Sequence, residues 1–197
     1  LDAATALLTY QAGNYFATGE APGRLGNRHP TIAPYETFAT ADGDVALAIG
    51  NDALWQAFCA AADLPDLAAD PRFATNALRL ANYDALRARL EGVFRTKSLA
   101  AWQAILREAG VPNGAVRSIA EVFADPQTAA REMLVTVPHA TLGAIRVTGV
   151  PVKLSETPGS VRSGPPTLGQ HTAAVLTELG YDSAAIEALA ASGAVRV

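Results

Sequence analysis

Gly26-Asn27-Arg28-His29-Pro30-Thr31-Ile32-Ala33-Pro34-Tyr35, followed by Asp42-Gly43 and by Ala48-Ile49-Gly50-Asn51-Asp52, is the stretch on which the fold turns. Gly26, Pro30 and Pro34 punctuate a loop, because proline lacks the amide a helix needs and fixes its own φ. Glu36 to Thr40 and Val45 to Ile49 read as two short strands around the turn residues Asp42-Gly43. Gly50-Asn51-Asp52 breaks the second strand and opens a helix, with Asn51 or Asp52 as its cap. Antiparallel pairing brings the start of the first strand and the end of the second to one edge. Asn27 to Pro30 and Gly50 to Asp52 are therefore expected on the same side. Loop, hairpin and helix start together make either one wall of a ligand site or a hairpin that only packs, and spacing alone leaves both open.

Outward from this stretch the periods are mostly helical. Leu1 to Phe16 reads as one helix whose apolar residues cover most of its circumference, so it expects burial on several faces. Thr18 to Pro34 is a loop. Asp52 to Ala62 is helical and stops before Pro65. Asn82 to Phe94 is amphipathic, with Tyr83, Leu86, Leu90, Val93 and Phe94 on one stripe. Ser98 caps the next helix, whose apolar face is Leu99, Trp102, Ile105, Leu106 and Ala109, and Gly110 stops it. Ser118-Ile119-Ala120-Glu121 is a capping-box pattern. From Leu134 the period changes to two: Leu134 to Val137 and Ala144 to Thr148 read as strands joined through Leu142-Gly143, and Val150 to Leu154 as a third, where Pro151 suggests an edge or an end. Glu156 to Leu168 is an extended connection. Gln170 to Leu179 and Ser183 to Ala191 are two closing helices, the first ended by Gly180 and the second capped by Asp182. The fold class expected is α+β, with helices outnumbering strands.

Composition narrows the function classes. Half of the 197 residues are hydrophobic, enough for a sizeable core, and only 17% are charged. So few charges point to extensive buried surface or to surface that rests against a partner. A net charge of −4 and scattered basic residues give no footprint for nucleic acid or for a membrane surface. No apolar run approaches the ~20 residues a bilayer span requires. Cys59 is the single cysteine, so no intramolecular disulfide forms, and its apolar neighbours mark it as a core thiol. With no signal-like segment, the expected location is cytoplasmic. The three histidines, His29, His139 and His171, lack ligand spacing, so no metal site is expected. Neither a G-x-S-x-G elbow nor a phosphate loop is present.

Several segments, taken in order, resemble the C-terminal half of the class III CoA-transferases. That group includes the formyl-CoA, carnitine-CoA and bile-acid-CoA transferases, together with the α-methylacyl-CoA racemases. The segments are the opening stretch; Asp70-Pro71-Arg72-Phe73 with Asn76 and Arg79; Gly110-Val111-Pro112-Asn113-Gly114-Ala115-Val116; Val122-Phe123-Ala124-Asp125-Pro126; and Leu168-Gly169-Gln170-His171-Thr172 running on to Glu178-Leu179-Gly180.

The resemblance implies an interlocked fold. Residues 1–31 would be a large-domain helix and linker, and 32–130 a small α+β domain. Residues 131–168 would be strands and a return connection, and 169–197 C-terminal large-domain helices. It implies a homodimer of interlinked rings when full length. The nucleophilic Asp and most CoA-binding residues would lie in a missing N-terminal half. The chain starts without Met, and its one Met is Met133, which fits a fragment that is inactive alone.

The implied reaction passes CoA from an acyl-CoA to a carboxylic acid. An Asp attacks the thioester to give a mixed anhydride, CoA thiolate returns to form an aspartyl-CoA thioester, and the incoming carboxylate collects the CoA. CoA thioester is thus a substrate, and no covalently bound cofactor is expected. No Asp here stands in the context of that nucleophile, so no catalytic residue is assigned. The substrate-binding candidates are Asn27, Arg28, His29, Pro30, Gly50, Asn51 and Asp52. Where formyl-CoA transferase carries a run of glycines in an active-site loop, this chain has Arg28, His29 and Pro30, which argues against the same oxalate and formate specificity. His29 reads either as a donor to an acyl carboxylate or thioester oxygen, or as a loop histidine bonded to backbone. Gly50 to Asp52 reads either as a helix start facing a negative ligand or as capping alone. The racemase branch would place a Glu close to this point, and Asn51-Asp52 departs from it. A non-catalytic binding or dimerisation module of the same shape is the third reading.

Overall fold

The computed structural model describes residues 1–197 as an α+β chain of two compact units, Leu1–Val116 and Arg117–Val197. In the first unit, β1 (Tyr35–Ala39) and β2 (Asp44–Ala48) pair antiparallel with Tyr35 opposite Ala48 and Ala39 opposite Asp44. Both strands begin and end one residue earlier than the sequence pattern suggested. A third strand, β3 (Asn113–Ala115), pairs with β2 so that β2 is central. Its three residues, Asn-Gly-Ala, carry no β signal, and only pairing defines them.

Alternation sorts the two faces of this sheet. Phe38, Val45, Leu47 and Ile49 point into the core, and Glu36 lies in phase with them, opposite Leu47. The turn is tied at both ends. Thr40 Oγ1 donates to the carbonyl of Gly43 and accepts from its amide. Asp42 Oδ1 accepts from Leu99 N at 2.7 Å, so the hairpin tip helps to cap a helix distant in sequence. A side chain at Gly43 would crowd this contact, since a Cβ would stand 3.1 Å from Leu99 Cδ2.

Helices cover the inward face. They are α3 (Asp52–Ala61), α4 (Pro65–Ala69), α5 (Asn76–Ala81), α6 (Tyr83–Phe94) and α7 (Leu99–Glu108), with a 3-10 turn at Pro71–Phe73. The caps are local chemistry. Asn51 accepts from Leu54 N, Thr75 from Leu78 N and Ser98 from Ala101 N. Gly110, at φ +67°, ends α7 with Gly110 N bonded to Arg107 O and Val111 N to Leu106 O. This paired arrangement satisfies two carbonyls the helix end leaves free. Aromatic rings fill the centre: Phe94 stacks on Phe38 at 4.9 Å and meets Phe58 and Trp102, whose Nε1 donates to the Phe94 carbonyl.

The single helix expected over Leu1 to Phe16 is instead two, α1 (Asp2–Ala6) and α2 (Thr9–Thr18). Thr9 sits at φ +41°, where a helix cannot continue. Neither helix has a buried residue, and Leu1, Leu7 and Phe16 are exposed. The apolar surface that predicted burial has nothing packed on it to hold one straight helix.

The second unit holds α8 (Ile119–Ala124), α9 (Pro126–Ala130), the hairpin β4 (Leu134–His139) and β5 (Gly143–Thr148), then α10 (Thr172–Glu178) and α11 (Ser183–Ala191). Ser118 and Glu121 complete the expected capping box, and Asp182 caps α11. The third strand expected over Val150 to Leu154 does not form: the ladder stops after Gly149 N bonds Met133 O. Pro151 removes the next useful donor. No helix of the chain is long and apolar enough to cross a membrane.

Candidate functional site

The loop before β1 is fixed by three anchors. His29 N donates to Tyr35 O at 3.0 Å, Asn27 Nδ2 donates to Thr37 Oγ1, and Asn76 bridges the loop's far end. Asn76 Nδ2 donates to Thr31 O while Asn76 Oδ1 accepts from Ala33 N. Asn76 is one of the residues quoted in the sequence motif, and here it acts as a bracket that clamps a loop 45 residues earlier.

His29 is held flat. Its ring stacks on Tyr35 at 5.1 Å and on Tyr10 of α2 at 5.7 Å, nearly parallel to both. Nδ1 accepts from Thr31 N at 3.1 Å, which leaves Nε2–H as the ring's donor. The backbone bond by itself signals no ligand. His139, in the turn between β4 and β5, makes the same bond to Thr141 N. Both are His-x-Thr turns. What sets His29 apart is the sandwich between two tyrosines.

Beside His29 a cavity of about 590 Å³ opens, walled by Tyr10, Tyr35 and the loop from Gly23 to His29. Asn27, Arg28 and His29 share this wall. Pro30 and Gly50 to Asp52 do not line it. Arg24 and Arg28 are the charged residues of its lining, and no Asp or Glu is among the lining residues. The cavity therefore favours an anion. Arg28 rests with its Cζ 4.2 Å from the centre of the Tyr83 ring. Tyr83 OH donates to the carboxylate of Glu36, 2.8 Å from each oxygen, and Arg87 bonds the same carboxylate. Burial pushes the Tyr83 phenol above its ordinary range, and the Arg28 guanidinium pulls it back in part.

Gly50 to Asp52 are occupied with structure. The Asn51 side chain caps α3. Asp52 Oδ1 accepts from Asn76 N and from Arg79 Nη2, each at 2.8 Å. Asn76 bonds Thr31 and Ala33, just past the Asn27 to Pro30 segment, and also Asp52 at the helix start. The remaining acids are likewise engaged or exposed. Hydrogen bonds from Arg72 hold Asp70 below the usual carboxylate range, and the Gln127 amide followed by Arg117 does so for Asp125. Each caps a turn that begins with proline. Cys59 is buried, and burial raises its thiol to about 12 against a partial opposing pull from Arg79. No three His, Cys, Asp or Glu side chains gather as a metal site.

The pattern reading passed over Glu36, Tyr83 and Arg87. A signal existed: Glu36 has the phase of Phe38 in β1, and Arg87, off the apolar stripe that holds Tyr83, still stands one turn after it in the same helix.

The description CoA-transferase family III belongs to the family model that matches residues 1–172. The acetyl-CoA:oxalate CoA-transferase of Acetobacter aceti is 40% identical over 185 residues, 93% of this chain and 46% of that protein. The succinyl-CoA:glutarate CoA-transferase of Mus musculus is 35% identical over 196 residues, 99% of this chain and 45% of its own length. Among solved structures, a CAIB/BAIF family protein from Brucella suis has a TM-score of 0.72 and 38% identity, covering 88% of this chain and 45% of that one. The chain thus spans just under half the length of these relatives.

Proposed function

The chain belongs to CoA-transferase family III, and we propose that it is the C-terminal portion of an acyl-CoA:carboxylate CoA-transferase. In this reading it supplies the small domain and part of the acyl-binding wall. The observation that carries it is the cavity in which Asn27, Arg28 and His29 meet with no carboxylate of the chain beside them. The His29 Nε2–H and the Arg28 guanidinium are donors suited to a thioester or carboxylate oxygen. Asn51 and Asp52 shape the wall from behind and touch no ligand.

The nucleophilic Asp then comes from an N-terminal half outside these residues, and the chain alone is inactive. Residues 1–31 and 169–197 pack on the large domain of the whole enzyme, around a small domain at 32–130 and a return connection at 131–168. The lack of any buried residue in α1, α2 and α10, with Leu1, Leu7 and Phe16 exposed, favours such a role. The whole enzyme is a cytoplasmic homodimer that uses CoA thioester as substrate without a covalently bound cofactor. Transferase chemistry is favoured over α-proton racemisation because the two relatives compared above are CoA-transferases, and because Asp52 is spent on Arg79. Oxalate, succinate and glutarate in their names make a dicarboxylic acid the acceptor to test first.

The test is CoA transfer from succinyl-CoA to labelled glutarate or oxalate. The assay takes the 197-residue chain alone and, beside it, the longer reading frame that contains it. Turnover by the longer protein and none by the chain supports the proposal. Turnover by the chain alone, abolished by changing one of its own Asp residues, sinks it.

A further inference from the structure

We propose that Arg28 selects dicarboxylic acyl groups by binding their free carboxylate, with Tyr83 and Glu36 as the positioning residues that hold it. This rests on the acyl-wall reading above and names the substrate class of that wall.

Five ion pairs occupy Arg72, Arg79, Arg87 (twice) and Arg117, and none involves Arg28 or Arg24. A carboxylate partner would consume the guanidinium fork. The Tyr83 residue instead holds the cation, its ring 4.2 Å below Cζ and its hydroxyl in hydrogen-bonding reach of the guanidinium, and leaves the charge and the remaining N–H donors unpaired with any carboxylate. The ring is itself fixed. Its hydroxyl spans both oxygens of Glu36, which is 3% exposed and is also bonded by Arg87, itself 3.2 Å from the same hydroxyl. Donation to a buried carboxylate puts electron density into the ring and strengthens its grip on a cation. A carboxylate in the core-facing row of a strand is costly to bury, and the ion pair with Arg87 offsets only part of that cost. The carboxylate also supplies a seat for Tyr83.

The cavity beside His29 supplies the space for the acyl group. Arg28 stands on its wall, where no carboxylate lies, and also borders a smaller hollow of about 400 Å³ lined by Leu80 to Ala85, with Asp84 among them. It therefore sits at a rim where the end of a short acyl chain would arrive. His29, next in sequence and fixed between two rings, presents Nε2–H beside it. One donor serves the carbonyl end and one the far carboxylate. A monocarboxylic acyl group offers nothing to the second and leaves the guanidinium only water.

The experiment uses the 197-residue chain and reads binding, so it does not depend on turnover. The ring-proton NMR signals of the three histidines are followed during titration with succinate, glutarate, butyrate and inorganic phosphate. His139 and His171 serve as controls. Succinate and glutarate are expected to move the His29 signals with affinity about tenfold above butyrate, the scale of one charge-assisted bidentate contact. Arg28→Gln should abolish that ratio, and Arg28→Lys should restore only part of it. Tyr83→Phe, which keeps the ring and loses the hydroxyl, should lower the ratio without removing it. An unchanged melting temperature in each Arg28 variant guards against misfolding.

Equal binding of succinate and butyrate, no shift of His29, a ratio that survives Arg28→Gln, or phosphate binding more tightly than the dicarboxylates would each overturn the proposal. The two readings fail separately. Transfer to monocarboxylates alone by the longer protein leaves the transferase reading standing and this one refuted. Selective dicarboxylate binding without any transfer does the reverse.

Discussion

Arg79 is wholly buried while its ion-pair partner Asp52, 2.8 Å away, has a side chain half exposed. The asymmetry says which residue carries the structure. Besides Asp52 Oδ1, Arg79 donates to Ala33 O at 2.6 Å and to Phe73 O at 3.0 Å, and its Cζ lies 5.3 Å from the Trp55 ring centre. One side chain thus joins the loop before β1, the 3-10 turn and the start of α3. Arg79→Ala should cost about 3–5 kcal/mol, because it strands two buried carbonyls and opens a void. Asp52→Ala should cost less, about 1–3 kcal/mol, because water reaches the charge it leaves behind. Urea denaturation of the two variants checks the order. Equal losses would mean that the pair, and not the arginine's carbonyl bonds, does the stabilising.

Glu36 gives a second contrast within one set of contacts. Its carboxylate is buried and shared by Tyr83 and Arg87, whereas Glu91 meets Arg87 at 2.9 Å with both side chains partly exposed. Glu36→Ala should destabilise by about 3 kcal/mol, the lower end for breaking a buried pair, since Arg87 keeps access to water. Glu91→Ala should cost under about 0.5 kcal/mol, as exposed helix pairs do. Thermal unfolding of both variants under one buffer decides it, and a large loss from Glu91→Ala would contradict the burial argument.

Alkaline pH should weaken the fold through Cys59. Its thiol, raised by burial, titrates at about 12 in the folded protein against 9.0 when unperturbed. The folded state keeps a proton that the unfolded chain gives up above pH 9. The contribution is therefore complete below pH 9 and is lost progressively between 9 and 12. Tyr83, raised above 10.0 by burial, adds to the same loss at its upper end. Stability measured from pH 8 to 11 should fall, and Cys59→Ala should flatten the early part of the fall. The native thiol should also resist a disulfide reagent at pH 8 until the protein is unfolded. Rapid labelling would rule out the buried thiolate penalty.

What was legible in the sequence is what is local. Asn51, Ser98, Ser118 and Asp182 cap the helices they precede, and Gly110 ends one, because each bond spans only a few residues. The hairpin was legible for the same reason, within one residue. Glu36 and Arg79 were not, since a charged residue in a core is explained only by partners far away in sequence. Tyr83 lies 47 residues from Glu36, and Ala33 lies 46 from Arg79. The site divides along the same line. Asn27, Arg28 and His29 line one cavity, as their adjacency allows. Asn51 and Asp52 are drawn away from it by Leu54 N, Asn76 N and Arg79, the last two set 24 and 27 residues further on. Leu1 to Phe16 misled for a different reason: its apolar pattern describes packing that these residues do not themselves provide.

That last contrast sets the order of local stability. The aromatic centre of the first unit buries Phe38, Trp55, Phe58, Phe94 and Trp102 beneath β1 and β2, so opening any of α3, α6 or α7 exposes large apolar surface. By contrast α1 and α2 bury nothing, and only the Tyr10 stack on His29 ties α2 to a neighbour through its aromatic face. Amides of β1, β2, α3, α6 and α7 should exchange near the global unfolding rate, while those of α1 and α2 should exchange orders of magnitude faster. Hydrogen exchange read by mass spectrometry on the 197-residue chain resolves the two classes. His29→Ala should quicken α2 further, by removing its stacking partner, and leave α3 and α7 unchanged. Slow exchange in α1 and α2, at a protein concentration where the chain is monomeric, would show that they carry stability of their own and would remove the argument for a missing neighbour.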